Sequence, residues 1–317
     1  MIEVFYKDIR AKKVTSVDDI EASSAEIFNI RLIDFTQEEL QSVAQKYGLH
    51  LGVFNKKEDI EISSHYMDLH NQLSITFTVP SYAAESLMEE QNMHIIIKDD
   101  IFFTFMSASM EEAINLLTKY RYDFDRLEFN SHEELFVFQV GVITDYFADV
   151  VESISDKIKN TFYDTLQPKQ FTEQDLDALT KNNFNNFLIR EAVSNFQRII
   201  LLLRKRFSEN DKIVSKLSIE IKDLNVIAEH VANNFERIND LKINVNSKIE
   251  LEQNNIFKIL TIITVCISLP TLIAGIYGMN FTNMPELKVS YGYPLALLGI
   301  VLSFVIPLLY FKSKKWF

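Results

Sequence analysis

The chain has 317 residues, with 32 basic and 44 acidic side chains and a formal net charge of −12. That balance excludes a nucleic-acid binder, which needs a basic footprint for phosphates, and 47% hydrophobic with 24% charged residues excludes extensive disorder. A single cysteine, Cys266, excludes a disulfide framework and a cysteine-rich zinc site, and seven glycines with six prolines argue against an all-β fold rich in turns.

The chain opens Met-Ile-Glu-Val, without the basic-then-apolar pattern of a signal segment. Most of it is therefore expected to stay in the cytosol. Residues 1–130 read as a cytosolic α/β domain. Short apolar or alternating runs at Ile2–Tyr6, Ile27–Ile33, Leu73–Val79, His94–Lys98 and Ile101–Met106 predict strands. Thr36–Tyr47 and Met110–Tyr120 predict helices, the first with Thr36 as N-cap and Glu39 completing a capping box. Strands interleaved with helices imply a small α/β layer.

Residues 131–255 read as long cytosolic helices. Phe136, Val140, Ile143, Phe147, Val150, Ile154 and Ile158 step by three or four, one buried helical stripe. A second helix is predicted over Thr172–Phe207, broken from the first near Pro168, with asparagines and acids on its outer faces. A third begins near Ser208, its stripe running Leu217, Ile221, Leu224, Ala228, Val231, Phe235, Ile238, Leu241, Val245 and Ile249. No Pro or Gly interrupts it between Phe207 and Pro270. If continuous to Met279 it is about 100 Å long, at about 1.5 Å per residue, and needs packed neighbours.

Residues 256–317 form the membrane part. Ile256–Met279 carries one charge, Lys258, and Tyr291–Phe311 carries none, so both can cross a bilayer. The spans are set at about 256–280 and 291–311. Lys312, Lys314 and Lys315 follow the second, Arg237, Lys242, Lys248 and Lys258 precede the first, and the connection holds only Lys288. The positive-inside rule puts both termini in the cytoplasm and the short loop outside, in a multi-pass protein of the plasma membrane. Tyr277, Phe281, Tyr291, Tyr293, Tyr310 and Trp316 fall near the interfaces, as an aromatic belt does.

The first span carries Thr261, Thr264, Ser268, Thr271, Gly275 and Gly278 at steps of three and four. Such a face either packs closely on another helix or lines water in a pore made by several copies. Inward it continues to Phe257 and Asn254, outward to Asn280 and Thr282. Phe257 and Leu260 are either ordinary packing residues or an apolar constriction that gates by dewetting. Pro270 frees a carbonyl one turn back. No Asp, Glu, Arg or His lies deep in either span, so a passing cation meets only neutral oxygens or keeps its water. His50, His65, His70, His94, His132 and His230 show no ligand spacing, Cys266 reads as packing, and no catalytic arrangement can be assigned. The chain is not expected to be an enzyme or to bind a covalent cofactor.

Tyr277-Gly278-Met279-Asn280-Phe281 ends the first span; Met284-Pro285-Glu286-Leu287 and Tyr291-Gly292-Tyr293-Pro294 follow, then a second span and the terminal Phe311-Lys312-Ser313-Lys314-Lys315-Trp316-Phe317. From Asn254 to Phe317 this resembles the CorA family of magnesium transporters; the preceding region is similar in layout. The resemblance implies a homopentameric funnel whose pore is lined by the first span, ringed by the second, and fed by a long stalk helix. It implies transport of Mg²⁺, with Co²⁺ and Ni²⁺, driven by membrane potential. It makes Gly278, Met279 and Asn280 the outer mouth that selects the ion, with Glu286 in the loop beside it. Asn254, Thr261, Thr264, Ser268, Thr271 and Gly275 become pore-lining, and Phe257 and Leu260 the gate. It further implies cytosolic Mg²⁺ bound between subunits as a regulatory ligand. The stalk position for the expected acid is Ile243, which leaves Asp240, Glu250, Asp99, Asp100 and the Glu58-Asp59 pair as ligand candidates. The alternatives are a zinc or nickel transporter of the same fold and a membrane-anchored coiled-coil scaffold. The partners implied are divalent cations, the lipid bilayer and further copies of the chain.

Overall fold

A seven-stranded sheet organises the N-terminal region of the computed structural model. The structure describes residues 1–6, 11–20, 26–54, 65–69, 71–82, 87–117, 129, 131–167, 171–281 and 283–316. Strands β1 (Ile2–Tyr6), β2 (Ala11–Val14), β3 (Ile27–Ile33), β4 (His65–Leu69), β5 (Gln72–Tyr82), β6 (Met88–Lys98) and β7 (Ile101–Met106) run in the order β2-β1-β3-β7-β6-β5-β4. Only β3 and β7 are parallel; the other pairs are antiparallel.

Three predicted strands match to the residue, and β5 and β6 are longer than predicted. The two strands that the sequence does not announce, Ala-Lys-Lys-Val and His-Tyr-Met-Asp-Leu, are the sheet's two edges. Edge strands carry charge because one side has no partner, so their alternation is weak. Helix α1 (Gln37–Tyr47) has the predicted box: the Thr36 hydroxyl accepts from Glu39 N–H at 3.2 Å, and the Glu39 carboxylate accepts from Thr36 N–H at 2.8 Å. Helix α2 spans Ala108–Leu117, two residues earlier than predicted. Residues 118–120 of that prediction lie outside the described residues, as do Pro168, His70 and the Glu58-Asp59 pair.

One sheet face, with Val4, Ile30, Leu32, Phe103 and Phe105, packs on Leu40 and Val43 of α1. The other face meets α3 (His132–Leu166) and α4 (Glu173–Arg206). Phe102 stacks on Phe136 at 4.9 Å between ring centres, Phe77 meets Phe196 at 4.9 Å, and Tyr146 donates to the Pro80 carbonyl at 2.6 Å. Burial pushes the Tyr146 phenol far above its ordinary range, which keeps it a donor. Every member of the predicted α3 stripe is buried.

Helix α5 runs Asp211–Tyr277 and α6 Gly292–Ser313. The α5 stripe is Leu217, Ile221, Leu224, Ile227, Val231, Asn234, Ile238, Leu241 and Val245; Ala228 is exposed and Phe235 only half-buried, contrary to the sequence reading. Asn234 displaces Phe235 because it has partners: its amide and the Ser155 hydroxyl bond at 3.0–3.1 Å. The asparagines of α4 are likewise not all on its outer face. Asn185 accepts from Met88 N–H at 2.9 Å, Asn186 donates to the Val231 carbonyl at 2.9 Å, and both are fully buried.

The chain divides into two compact units, Met1–Pro168 with Gln174–Lys242, and Lys169–Glu173 with Ile243–Phe317.

Candidate functional site

Among the described residues two helices, α5 and α6, hold a stretch apolar and long enough to cross a membrane, and the part of α5 from Ile243 on, with all of α6, falls in the second unit. The C-terminal part of α5 has two distinct faces. Ile262 and Cys266 are buried, and Val265, Pro270, Ile273 and Tyr277 are half-buried. At 3.6 residues per turn these positions share one side. Thr261, Thr264, Ser268, Thr271, Gly275 and Gly278 share the opposite side and are all exposed. Asn254, Phe257 and Leu260 continue that exposed side toward the helix N-terminus, Phe257 at 63% and Leu260 at 57% exposure. Part of the face is a shallow groove lined by Thr264, Ser268, Thr271, Gly275 and Met279, with Ile263, Ile267, Leu272 and Ile276 as shoulders.

The hydroxyls on this face are already committed as donors. Thr261 donates to the Phe257 carbonyl (2.8 Å), Thr264 to Leu260 (2.8 Å), Ser268 to Val265 (3.4 Å) and Thr271 to Ile267 (2.7 Å). A hydroxyl whose proton points back into its own helix presents only lone pairs outward. The face is thus a ladder of neutral acceptors, suited to a cation or to the hydrogens of its water shell.

The residues expected to form the mouth close the helix. Gly278 N–H bonds the Ala274 carbonyl at 2.9 Å, Met279 N–H bonds Ile276 at 3.2 Å, and the exposed Asn280 follows. Glu286 sits in a short 3₁₀ turn, Pro285–Lys288, and is exposed. Gly292, the first residue of α6, fixes that turn. A Cβ there would fall well inside van der Waals contact with the Glu286 carbonyl oxygen, while Gly292 N–H bonds Val289 at 2.9 Å. In the sequence Gly292 stands out only within Tyr291-Gly292-Tyr293-Pro294; its steric role arises from the fold. Thr282 lies outside the described residues.

The four acids named for a regulatory metal are all exposed. Asp99 and Asp100, at φ 47° and 64°, are the two turn residues of the β6–β7 hairpin, and Asp100 lies 3.4 Å from the His132 ring. Two successive positive φ values are what a type I′ turn requires, and Asp tolerates them. An Asp-Asp pair between two apolar strands was the available signal. Asp240 and Glu250 are exposed on α5. Among the described residues no three His, Cys, Asp or Glu side chains come together as a metal site.

A model of CorA-like Mg²⁺ transporter proteins matches residues 29–314. The chain belongs to the CorA family. It is 31% identical over 307 residues to the magnesium transport protein CorA of Wolinella succinogenes, covering 93% of this chain and 92% of that protein. The CorA magnesium transporter structure from Methanocaldococcus jannaschii superposes with a TM-score of 0.78 at 18% identity, over 100% of this chain and 99% of that one. The full-length CmaX protein superposes with a TM-score of 0.69 at 15% identity, over 99% and 97%. The architecture of an α/β domain, long helices and two C-terminal apolar helices is therefore a CorA fold, and the chain is a membrane protein of a divalent-cation transporter family.

Proposed function

We propose that this chain is a Mg²⁺ channel, also passing Co²⁺ and Ni²⁺, whose pore is built from the outer part of α5 in five copies. The observation that carries this reading is the exposed ladder of acceptor oxygens on α5, facing away from the side that the second unit shields. One helix cannot enclose a path; a ring of copies with this face inward can. The relatives named magnesium transport protein support Mg²⁺ as the ion, as does the intact Gly278-Met279-Asn280 sequence.

Mg²⁺ gives up its water reluctantly and usually keeps several molecules of it. In this reading five Asn280 side chains receive the hydrated ion through amide oxygens, with Glu286 raising its local concentration. Thr271, Ser268, Thr264 and Thr261 then offer weak, repeated contacts, which let an ion enter and leave. Phe257 and Leu260 form the apolar gate at the cytosolic end. With both termini inside, an inside-negative potential contributes about 2.3 kcal/mol per charge per 100 mV, about twice that for a divalent ion. Asp240 and Glu250, with Asp99 and Asp100 from a neighbouring copy, are the proposed cytosolic Mg²⁺ ligands that hold the pore shut.

The test is Mg²⁺ flux into liposomes under an imposed potential, with Asn280→Ala alongside. Wild-type flux lost in an Asn280→Ala protein that assembles normally is the expected result. Near-normal flux in the variant would remove Asn280 from the mouth. Passage of Zn²⁺ or Ni²⁺ without Mg²⁺ would move the chain to the transition-metal transporters of this fold.

A further inference from the structure

The chain leaves α6 through a specific turn. Lys315 has a left-handed backbone, φ 56°. Its N–H bonds the Lys312 carbonyl at 3.0 Å, and Trp316 N–H reaches back to the Phe311 carbonyl at 3.2 Å. This pair of bonds is a Schellman closure, whose left-handed position usually goes to glycine or asparagine. A lysine there is strained. What holds the turn is aromatic: Trp316 lies against Phe311 at 5.1 Å between ring centres, and Phe311 against Tyr310 at 5.7 Å. The Trp316–Phe311 contact joins the two positions that Schellman turns commonly bridge with apolar side chains.

The consequence is a cluster of charge at one depth. Lys312, Lys314 and Lys315 all lie within this one turn, between Phe311 and Trp316 in the sequence, are all exposed, and make no ion pair among the described residues. The stack closes a 22-residue apolar helix. A tryptophan at the end of such a helix sits at the headgroup level of a bilayer, so the three ammonium groups sit there too. At that level the complementary charge is the lipid phosphate. A zwitterionic headgroup brings its own cation and an anionic one does not. We propose that the Schellman turn after α6 is a docking site for anionic phospholipid headgroups, with Lys312, Lys314 and Lys315 as phosphate ligands and the Trp316–Phe311 stack as the platform that holds them.

Trp316 is the sole tryptophan of the chain, so its fluorescence reports this turn alone. The full-length protein is reconstituted in phosphatidylcholine with increasing fractions of bromine-labelled phosphatidylglycerol or bromine-labelled phosphatidylcholine. Each lysine near an anionic surface strengthens binding by on the order of fivefold, so the expected preference of Trp316 for the anionic quencher is at least about threefold. It should fall as salt is added. In Lys312→Gln/Lys314→Gln/Lys315→Gln, which keeps the tryptophan, the preference should fall to about one, while Lys288→Gln should retain it. Equal quenching by both lipids in the wild type, or an undiminished preference in the triple variant, would overturn the proposal. So would a Trp316 that neither lipid quenches.

Discussion

Single residues carry distinct tasks that substitution can separate. Gly292 meets the Glu286 carbonyl, whereas a Cβ at Gly275 or Gly299 meets nothing within 4 Å. Gly292→Ala should displace the Pro285–Lys288 turn and destabilise the protein by about 1–3 kcal/mol, as overpacking against backbone does. Thermal melting checks this, with Gly299→Ala as a near-neutral control. Gly275→Ala should leave the melting of the single chain unchanged yet reduce flux, because the need for a small residue there arises only when copies assemble. A second prediction concerns acids. Between α3 and α5 the Glu220 carboxylate lies over Gly141, 3.3 Å from where a Cβ would sit, beside Asp145, Asp149 and Asp223. Burial above all raises the pKa of Glu220 and Asp145 beyond the ordinary carboxylate range; at Glu220 the Thr144 hydroxyl opposes this and Asp223 and Asp145 add to it, while at Asp145 the added like charges are Asp149 and Asp223. The folded state therefore holds protons there more tightly than the unfolded chain. These two groups contribute a stability that is complete below the ordinary carboxylate range and is lost as pH rises through their folded values. Melting compared from neutral pH down to mild acid should show a smaller rise for Glu220→Gln/Asp145→Asn than for the wild type. An identical rise would contradict the assignment.

At the scale of elements, the sequence is legible wherever periodicity and capping chemistry agree. The α1 boundaries follow from Thr36 and Glu39, and Thr36→Ala should cost about 1 kcal/mol in a denaturant titration. The α3 stripe follows from its spacing because all of its members are apolar and all are buried. The α5 stripe slips by one residue at two places, since spacing alone cannot choose between Asn234 and Phe235. The choice is made by Ser155, 79 residues away in the chain, which satisfies the asparagine amide. Asn185 and Asn186 defeat the sequence reading for the same reason: a polar side chain is buried when its partner is supplied, and the partner belongs to another element. Edge strands β2 and β4 are invisible because the sheet, not their composition, makes them strands. The polar face of α5 is legible from its three-and-four spacing, and the structure leaves those positions exposed together on one side of the helix.

At the scale of the molecule, the exposed face of α5 meets no partner among the described residues, and its oxygens are oriented to accept. What this face meets in the assembled protein decides whether it lines an ion path. Thiol labelling reads that directly. In a Cys266→Ser background, single cysteines replace Thr264, Ser268 or Thr271 on one side of α5, or Leu298 on α6. A charged methanethiosulfonate reagent reacts only where water supports the thiolate. If the Thr264 face lines the ion path, the reagent should block Mg²⁺ flux at all three α5 positions and leave Leu298→Cys untouched, and added Mg²⁺ should slow the block. If all three α5 positions stay unlabelled while flux continues, that face is buried against another helix, and the ion path runs elsewhere.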